Sequence, residues 1–210
     1  MKQIDINCDM GESFGRYAIG DDDQIMPYIS SCNIACGFHA GDPLVIKNTV
    51  LKALSNHIGI GAHPSYPDLQ GFGRRSMSLS GSELEAMIVY QVSALKGITE
   101  TYGGALRHVK PHGALYNDMA ENEDLSRIVV NAIGSIDPKL SIVGLAGSAM
   151  HRYCEANNIP FRGEFFADRN YTDSGLLVSR SEENAIIHDP DLIADRTLRY
   201  VKSGQLKSVK

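Results

Sequence analysis

"CNIACGFHAGDPLVIKNTVLKALSNHIGIGAHP", Cys32 to Pro64, holds one full cycle of an alternating fold. A small apolar run, Ile34-Ala35-Cys36, meets Gly37, and His39 follows between two glycines. Asp42 stands before Pro43, the pairing that suits a helix N-cap and its first position. Ile46, Val50, Leu54 and Ile58 then recur at helical spacing. A second apolar run ends at His63-Pro64. Strand, helix, strand at this length is the parallel βαβ unit.

The rest of the chain repeats the pattern. Strands are expected over 4–9, 32–38, 58–63, 106–111, 141–146 and 160–166. Helices are expected over about 42–58, 84–102, 123–133, 148–157 and 190–202. The second of these helices is opened by a capping box read at Ser82 and Glu85. Nothing resembling a linker or a low-complexity tract divides the chain, so the expectation is one α/β domain over 1–210.

Composition narrows the function classes. The chain has 210 residues, 43% hydrophobic and 21% charged, with a formal net charge of −5. That balance does not favour a nucleic-acid partner, since such proteins concentrate Lys and Arg on one face. No apolar run approaches the ~18 residues that span a bilayer, and the N-terminus carries no signal-peptide core. The four cysteines read as reduced and buried, which points to a cytoplasmic protein. Cys32 and Cys36 do not read as a zinc pair, because four residues along a strand span ~13 Å.

Each expected strand finishes in residues able to do chemistry: Asn7 and Asp9, His39, His63, Lys110 and His112, Gly147-Ser148, Asp168 and Arg169. In parallel α/β folds the C-terminal strand ends and the loops after them build the active site. This placement argues for an enzyme.

In order and spacing, six stretches resemble the LamB/YcsF family: "IDINCDMGESFG" (4–15), "NIACGFHAGDP" (33–43), "GAHPSYPDLQGFGRR" (61–75), "RHVKPHGALYN" (107–117), "VGLAGS" (143–148) and "FADRNYTDSGLLVSR" (166–180). The resemblance runs from residue 4 to about residue 209. It implies a distorted, seven-stranded TIM-like β/α barrel of the glycoside hydrolase/deacetylase type. It also implies ATP-dependent opening of 5-oxoproline (pyroglutamate) to L-glutamate, carried out together with 5-oxoprolinase subunits B and C. Family members continue past the position of Val209 to a further strand ending in His-Gly-Asp. That last strand is absent from this sequence.

Opening a lactam takes carbonyl activation, an attacking water with a base, and a proton for the leaving nitrogen. ATP coupling suggests phosphorylation of the carbonyl oxygen. The chain has no G-x-x-x-x-G-K-[ST] loop, so ATP is expected to be used mainly on the partner subunits. Asp9 and Glu12 are candidate acid or base groups, and His39, His63 and His112 join them as catalytic candidates. Asp9, His39 and His63 form a possible divalent-metal set, as in related deacetylase-type barrels, with zinc or manganese suited to those donors. His108 and His112 lie ~13 Å apart on a strand, so His112 is expected at the site and His108 lower in the barrel. Lys110 suits a carboxylate or phosphoryl oxygen. One of Arg74 and Arg75 suits bidentate anion binding, with Asn7 and Asp168 completing the substrate-binding set. Two other readings remain open: a stand-alone metal-dependent deacetylase or amidohydrolase, and a non-catalytic, lactam-binding accessory protein.

Overall fold

The computed structural model describes residues 4–204. Six parallel strands form one sheet in sequence order: β1 (Asn7–Met10), β2 (Ser31–Ala35), β3 (Gly59–His63), β4 (Leu106–Val109), β5 (Ser141–Leu145) and β6 (Phe161–Glu164). Each crossover carries helix: α1 (Asp22–Ile25), α2 (Pro43–Ser55), α3 (Gly81–Thr101), α4 (Gly113–Glu121), α5 (Glu123–Ile136) and α6 (Ala149–Ala156). After β6 comes a long irregular stretch, then α7 (Pro190–Ser203). The sheet curls into a half-barrel. Asn7 on β1 reaches Glu164 on β6, Nδ2 to Oε2, at 3.4 Å, although five strand pairings separate them.

Local chemistry starts the helices. The Asp42 carboxylate accepts from Leu44 N and Val45 N, both at 2.9 Å, and Pro43 opens α2. For α3 the capping box is Ser80 with Glu83, not Ser82 with Glu85. The two serines stand two residues apart, and the N-cap with extended backbone is Ser80. The sequence reading passed over α4, which begins directly behind the strand-end motif at Gly113. Asn122 ends α4 and caps α5, accepting from Leu125 N at 3.0 Å. Several strands are shorter than expected: 4–6, 36–38, 110–111 and 165–166 lie outside the ladder. The missing strand implied beyond Val209 lies outside the described residues.

Alternation along the strands divides the sheet into two faces. Ile34, Ile60, Val109 and Ile142 pack under the helices in the main core, together with Ile88, Val92, Leu95, Val129 and Ile133. The inner face is polar. Asp9, Asn33, Gly61 and His108 share one register row across β1 to β4. Asn33 donates to Asn7 Oδ1 at 2.7 Å and to Asp9 Oδ1 at 2.9 Å, and its own Oδ1 lies 2.7 Å from His108 Nε2. The His108 ring crosses Gly61 to reach Asn33: a Cβ at Gly61 would collide with its Nε2. Among the described residues all four cysteines are free thiols, and no helix is long and apolar enough to cross a membrane.

Gly61→Ala must therefore move a buried ring or a strand. It is expected to destabilise the protein by about 1–3 kcal/mol, measured by urea unfolding. An unchanged midpoint contradicts this packing.

Candidate active site

A cleft of about 420 Å³ opens at the C-terminal strand ends. One wall carries Asp9, Glu12, His63, Arg74, Lys110 and His112. The other comes from α4 and the irregular stretch, through Tyr116, Phe166, Arg169 and residues 176–180. The irregular stretch is held there by Arg169, whose guanidinium donates to Val178 O at 2.5 Å and Ala185 O at 3.2 Å.

Lys110 is the centre of the polar floor. Its buried ammonium lies 3.2 Å from Asp9 Oδ1, 3.1 Å from Glu164 Oε2 and 3.2 Å from Asn7 Oδ1. An ammonium has three protons, and three oxygens take them. Burial opposes the charge, but Asp9 and Glu164 hold the Lys110 pKa above its usual value. Burial likewise opposes ionisation of Asp9, yet His63 and Lys110 hold its carboxyl well below the usual range.

Three imidazoles gather beside this floor, each at most 6% exposed. His112 Nδ1 lies 2.9 Å from His63 Nε2, and His63 Nε2 lies 3.3 Å from Asp9 Oδ2. His39 Nε2 lies 3.2 Å from Glu12 Oε1, and His112 Nδ1 lies 3.7 Å from the same oxygen. The His39 and His112 rings stack with centroids 3.7 Å apart. One donor atom from each of Glu12, His39, His63 and His112 falls within 4.8 Å of the others, a cluster that could hold a metal ion. This grouping differs from the Asp9, His39 and His63 set expected from sequence. Glu12 and His112 join it, and Asp9 stands beside it, engaged with Lys110 and Asn33. Burial, then the field of His63, lowers His39 to about 2. Burial, His63 and His39 lower His112 to about 2. Burial raises Glu12, with Asp9 adding repulsion.

The "GFGRR" loop closes over these rings. Phe72 adopts φ 55° and sets its ring edge-on to both His39 and His112. A left-handed backbone at a bulky residue is a strained conformation of the kind found at functional sites. Next to it, Gly73 (φ +63) leaves no room for a side chain: a Cβ would lie 2.8 Å from His112 Cδ2 and 2.9 Å from His39 Cβ.

The structure sorts the remaining candidates. Arg74 lines the cleft, its guanidinium 5.0 Å from the Phe72 ring centre. Arg75 is paired to Asp68 through Nε at 3.0 Å to both carboxylate oxygens. Asn7 lies in the floor and bonds Asn33 and Lys110. Asp168 is exposed and does not line the cleft, whereas its neighbour Arg169 does. His108 is buried against Asn33. Glu164 escaped the sequence reading, although an acid at the end of β6 is the same signal that singled out Asp9 on β1. Phe72 and Arg180 carried no such signal.

His39 and His112 have folded pKa values far below the unfolded 6.5, and His108 is lowered to about 4 by burial. As pH falls through 6.5 the unfolded chain takes up protons that the folded chain refuses. Stability is therefore full above about 6.5 and declines below it, by about 1.4 kcal/mol per pH unit for each such histidine. In chelator-treated protein the urea midpoint should drop between pH 7 and pH 5. A flat profile down to pH 5 contradicts the assignment.

The LamB/YcsF family model matches residues 4–210. The A subunit of 5-oxoprolinase from Bacillus mycoides (strain KBAB4) is 50% identical over 210 residues, covering 100% of this chain and 83% of that protein. Its counterpart in Alkaliphilus metalliredigens (strain QYMF) is 47% identical over 209 residues, covering 100% of this chain and 82% of that protein. The crystal structure of the lactam utilization protein from Thermus thermophilus superposes with a TM-score of 0.94 at 40% identity, covering 100% of this chain and 85% of that one. The chain belongs to the LamB/YcsF family.

Proposed function

We propose that this chain is the lactam-opening component of an ATP-dependent 5-oxoprolinase, converting 5-oxoproline to L-glutamate in the cytoplasm with subunits B and C. The reading rests on identity of about half, over the whole of this chain, to proteins named as the A subunit of 5-oxoprolinase. The observation that carries it in this molecule is the cleft: it sets the Glu12 carboxyl beside neutral imidazoles at one end and Arg74 and Arg180 along its wall. A small anionic cyclic amide matches that layout. Its ring fits the cleft, its carboxylate faces the guanidinium side, and its carbonyl faces Glu12 and the histidines.

In this reading Glu12 moves the proton. Burial raises the Glu12 carboxyl above its usual range, which suits it to take up and give back a proton. Asp9, kept ionised by Lys110 and His63, orients the attacking water. Lys110 is spent on three oxygens and serves to hold Asp9 rather than the substrate. Arg75 holds its loop through Asp68. ATP is consumed on the partners, whose product is a lactam activated at its carbonyl oxygen. The six strands are read as those of a seven-stranded barrel of the glycoside hydrolase/deacetylase type, working as a single domain.

Glutamate release from 5-oxoproline and ATP should require the partner subunits; robust turnover by the purified chain alone rejects the division of labour. In the assembled complex, Glu12→Gln and Asp9→Asn should each lower kcat by about 10²–10⁴-fold. If the rate survives and only affinity changes, the chain is an accessory binding protein.

A further inference from the structure

The proton inventory of the three histidines is over-determined by their outer contacts. His63 Nδ1 lies 2.6 Å from Lys110 O, and His112 Nε2 lies 2.8 Å from Phe72 O. A carbonyl only accepts, so both of these nitrogens carry the proton. His39 Nδ1 lies 2.9 Å from Ser65 Oγ, whose own proton goes to Tyr66 O at 2.9 Å. His39 therefore donates to Ser65. His39 and His112 are kept neutral by burial, so in those two rings the other nitrogen is a bare lone pair. The inward nitrogens are His39 Nε2, His63 Nε2 and His112 Nδ1, and all three converge with the Glu12 carboxylate.

Lone pairs do not attract one another. His63 Nε2 and His112 Nδ1 face each other at 2.9 Å, and His39 Nε2 faces Glu12 Oε1 at 3.2 Å. Protons would satisfy this arrangement only as two: one on His63 Nε2, which faces both His112 Nδ1 and Asp9 Oδ2 (3.3 Å), and one between His39 and Glu12. A single divalent cation supplies the same charge and engages all four donors at once. The spacings agree. A tetrahedral ion with bonds of about 2.1 Å sets its ligands about 3.4 Å apart; three of the six donor separations are 2.9, 3.2 and 3.7 Å, and all lie within 4.8 Å. The outer contacts also match what metal-bound histidines do, donating the other ring N–H to a carbonyl or hydroxyl that fixes the ring.

We propose that Glu12, His39, His63 and His112 form a binding site for one divalent transition-metal ion. Three imidazoles and one carboxylate favour zinc, cobalt or nickel over magnesium or calcium, which prefer all-oxygen shells. Asp9 lies outside the ligand set, with Oδ2 3.3 Å from His63 Nε2 and Oδ1 3.2 Å from the Lys110 ammonium. The site lies in the cleft assigned to lactam opening and rests on that reading; with the ion bound Glu12 is a ligand, and its proton role belongs to the ion-free cleft. It is tested on the isolated chain without substrate, ATP or partners, so the two can fail separately.

The experiment is titration of the chelator-stripped chain with cobalt chloride, read by visible d–d absorption and calorimetry, followed by zinc competition. One equivalent is expected to bind with micromolar or tighter affinity. Glu12→Gln, His39→Gln, His63→Gln and His112→Gln should each weaken binding by at least tenfold, while His57→Asn, at an exposed histidine outside the cluster, leaves it unchanged. Circular dichroism checks folding. If the buried-histidine variants unfold, Glu12→Gln at the rim decides. Absence of stoichiometric binding by cobalt, zinc or nickel overturns the proposal, as does undiminished binding by folded Glu12→Gln.

Discussion

One buried ammonium organises the molecule. Lys110 stands at the end of the fourth strand and reaches Asp9 and Asn7 on the first and Glu164 on the sixth. A lone charge so deep would be prohibitively desolvated, so it persists only because two carboxylates and an amide oxygen surround it. The same contacts draw the two ends of the sheet toward each other. The curl of the half-barrel and the floor of the cleft are thus one electrostatic arrangement. Removing one partner would leave an uncompensated buried charge, which costs about 3–5 kcal/mol.

The histidine cluster depends on backbone that can come unusually close. Gly61 lets the His108 ring lie across β3, and Gly73 lets the loop after β3 pack against His39 and His112. Phe72, held at φ 55°, presents its carbonyl to His112 and its ring to both histidines. Burial keeps His39 and His112 neutral, and their outer hydrogen bonds choose which nitrogen faces inward. Desolvation, tautomer and approach distance act together, and together they make four side chains into a cluster with room for a cation.

Much of this was legible along the chain. The six strands and most of the longer helices follow from apolar runs, helical spacing and caps such as Asp42-Pro43. The strand-end rule places Asp9, His63 and His112 at one end of the sheet, where the structure has them. Two things were misplaced for physical reasons. The box on α3 slipped by two residues because Ser80 and Ser82 are both competent caps and only backbone conformation chooses between them. Helix α4 was missed because its start, Gly113, follows a strand-end motif with no intervening turn signal.

By itself the sequence determined the alternation of elements, the polarity of the strand ends and the kinship carried by its long motifs, because periodicity and turn chemistry are local. The tertiary structure alone decided partnership. It assigned Lys110 to Asp9 and Glu164, gave Arg74 to the cleft and Arg75 to Asp68, and placed Glu12 and His112 with His39 and His63 while leaving Asp9 beside them. Residues up to 157 positions apart meet there. Which nitrogen faces which oxygen is fixed by the curl of the sheet and by burial, and neither is a property of any stretch read alone.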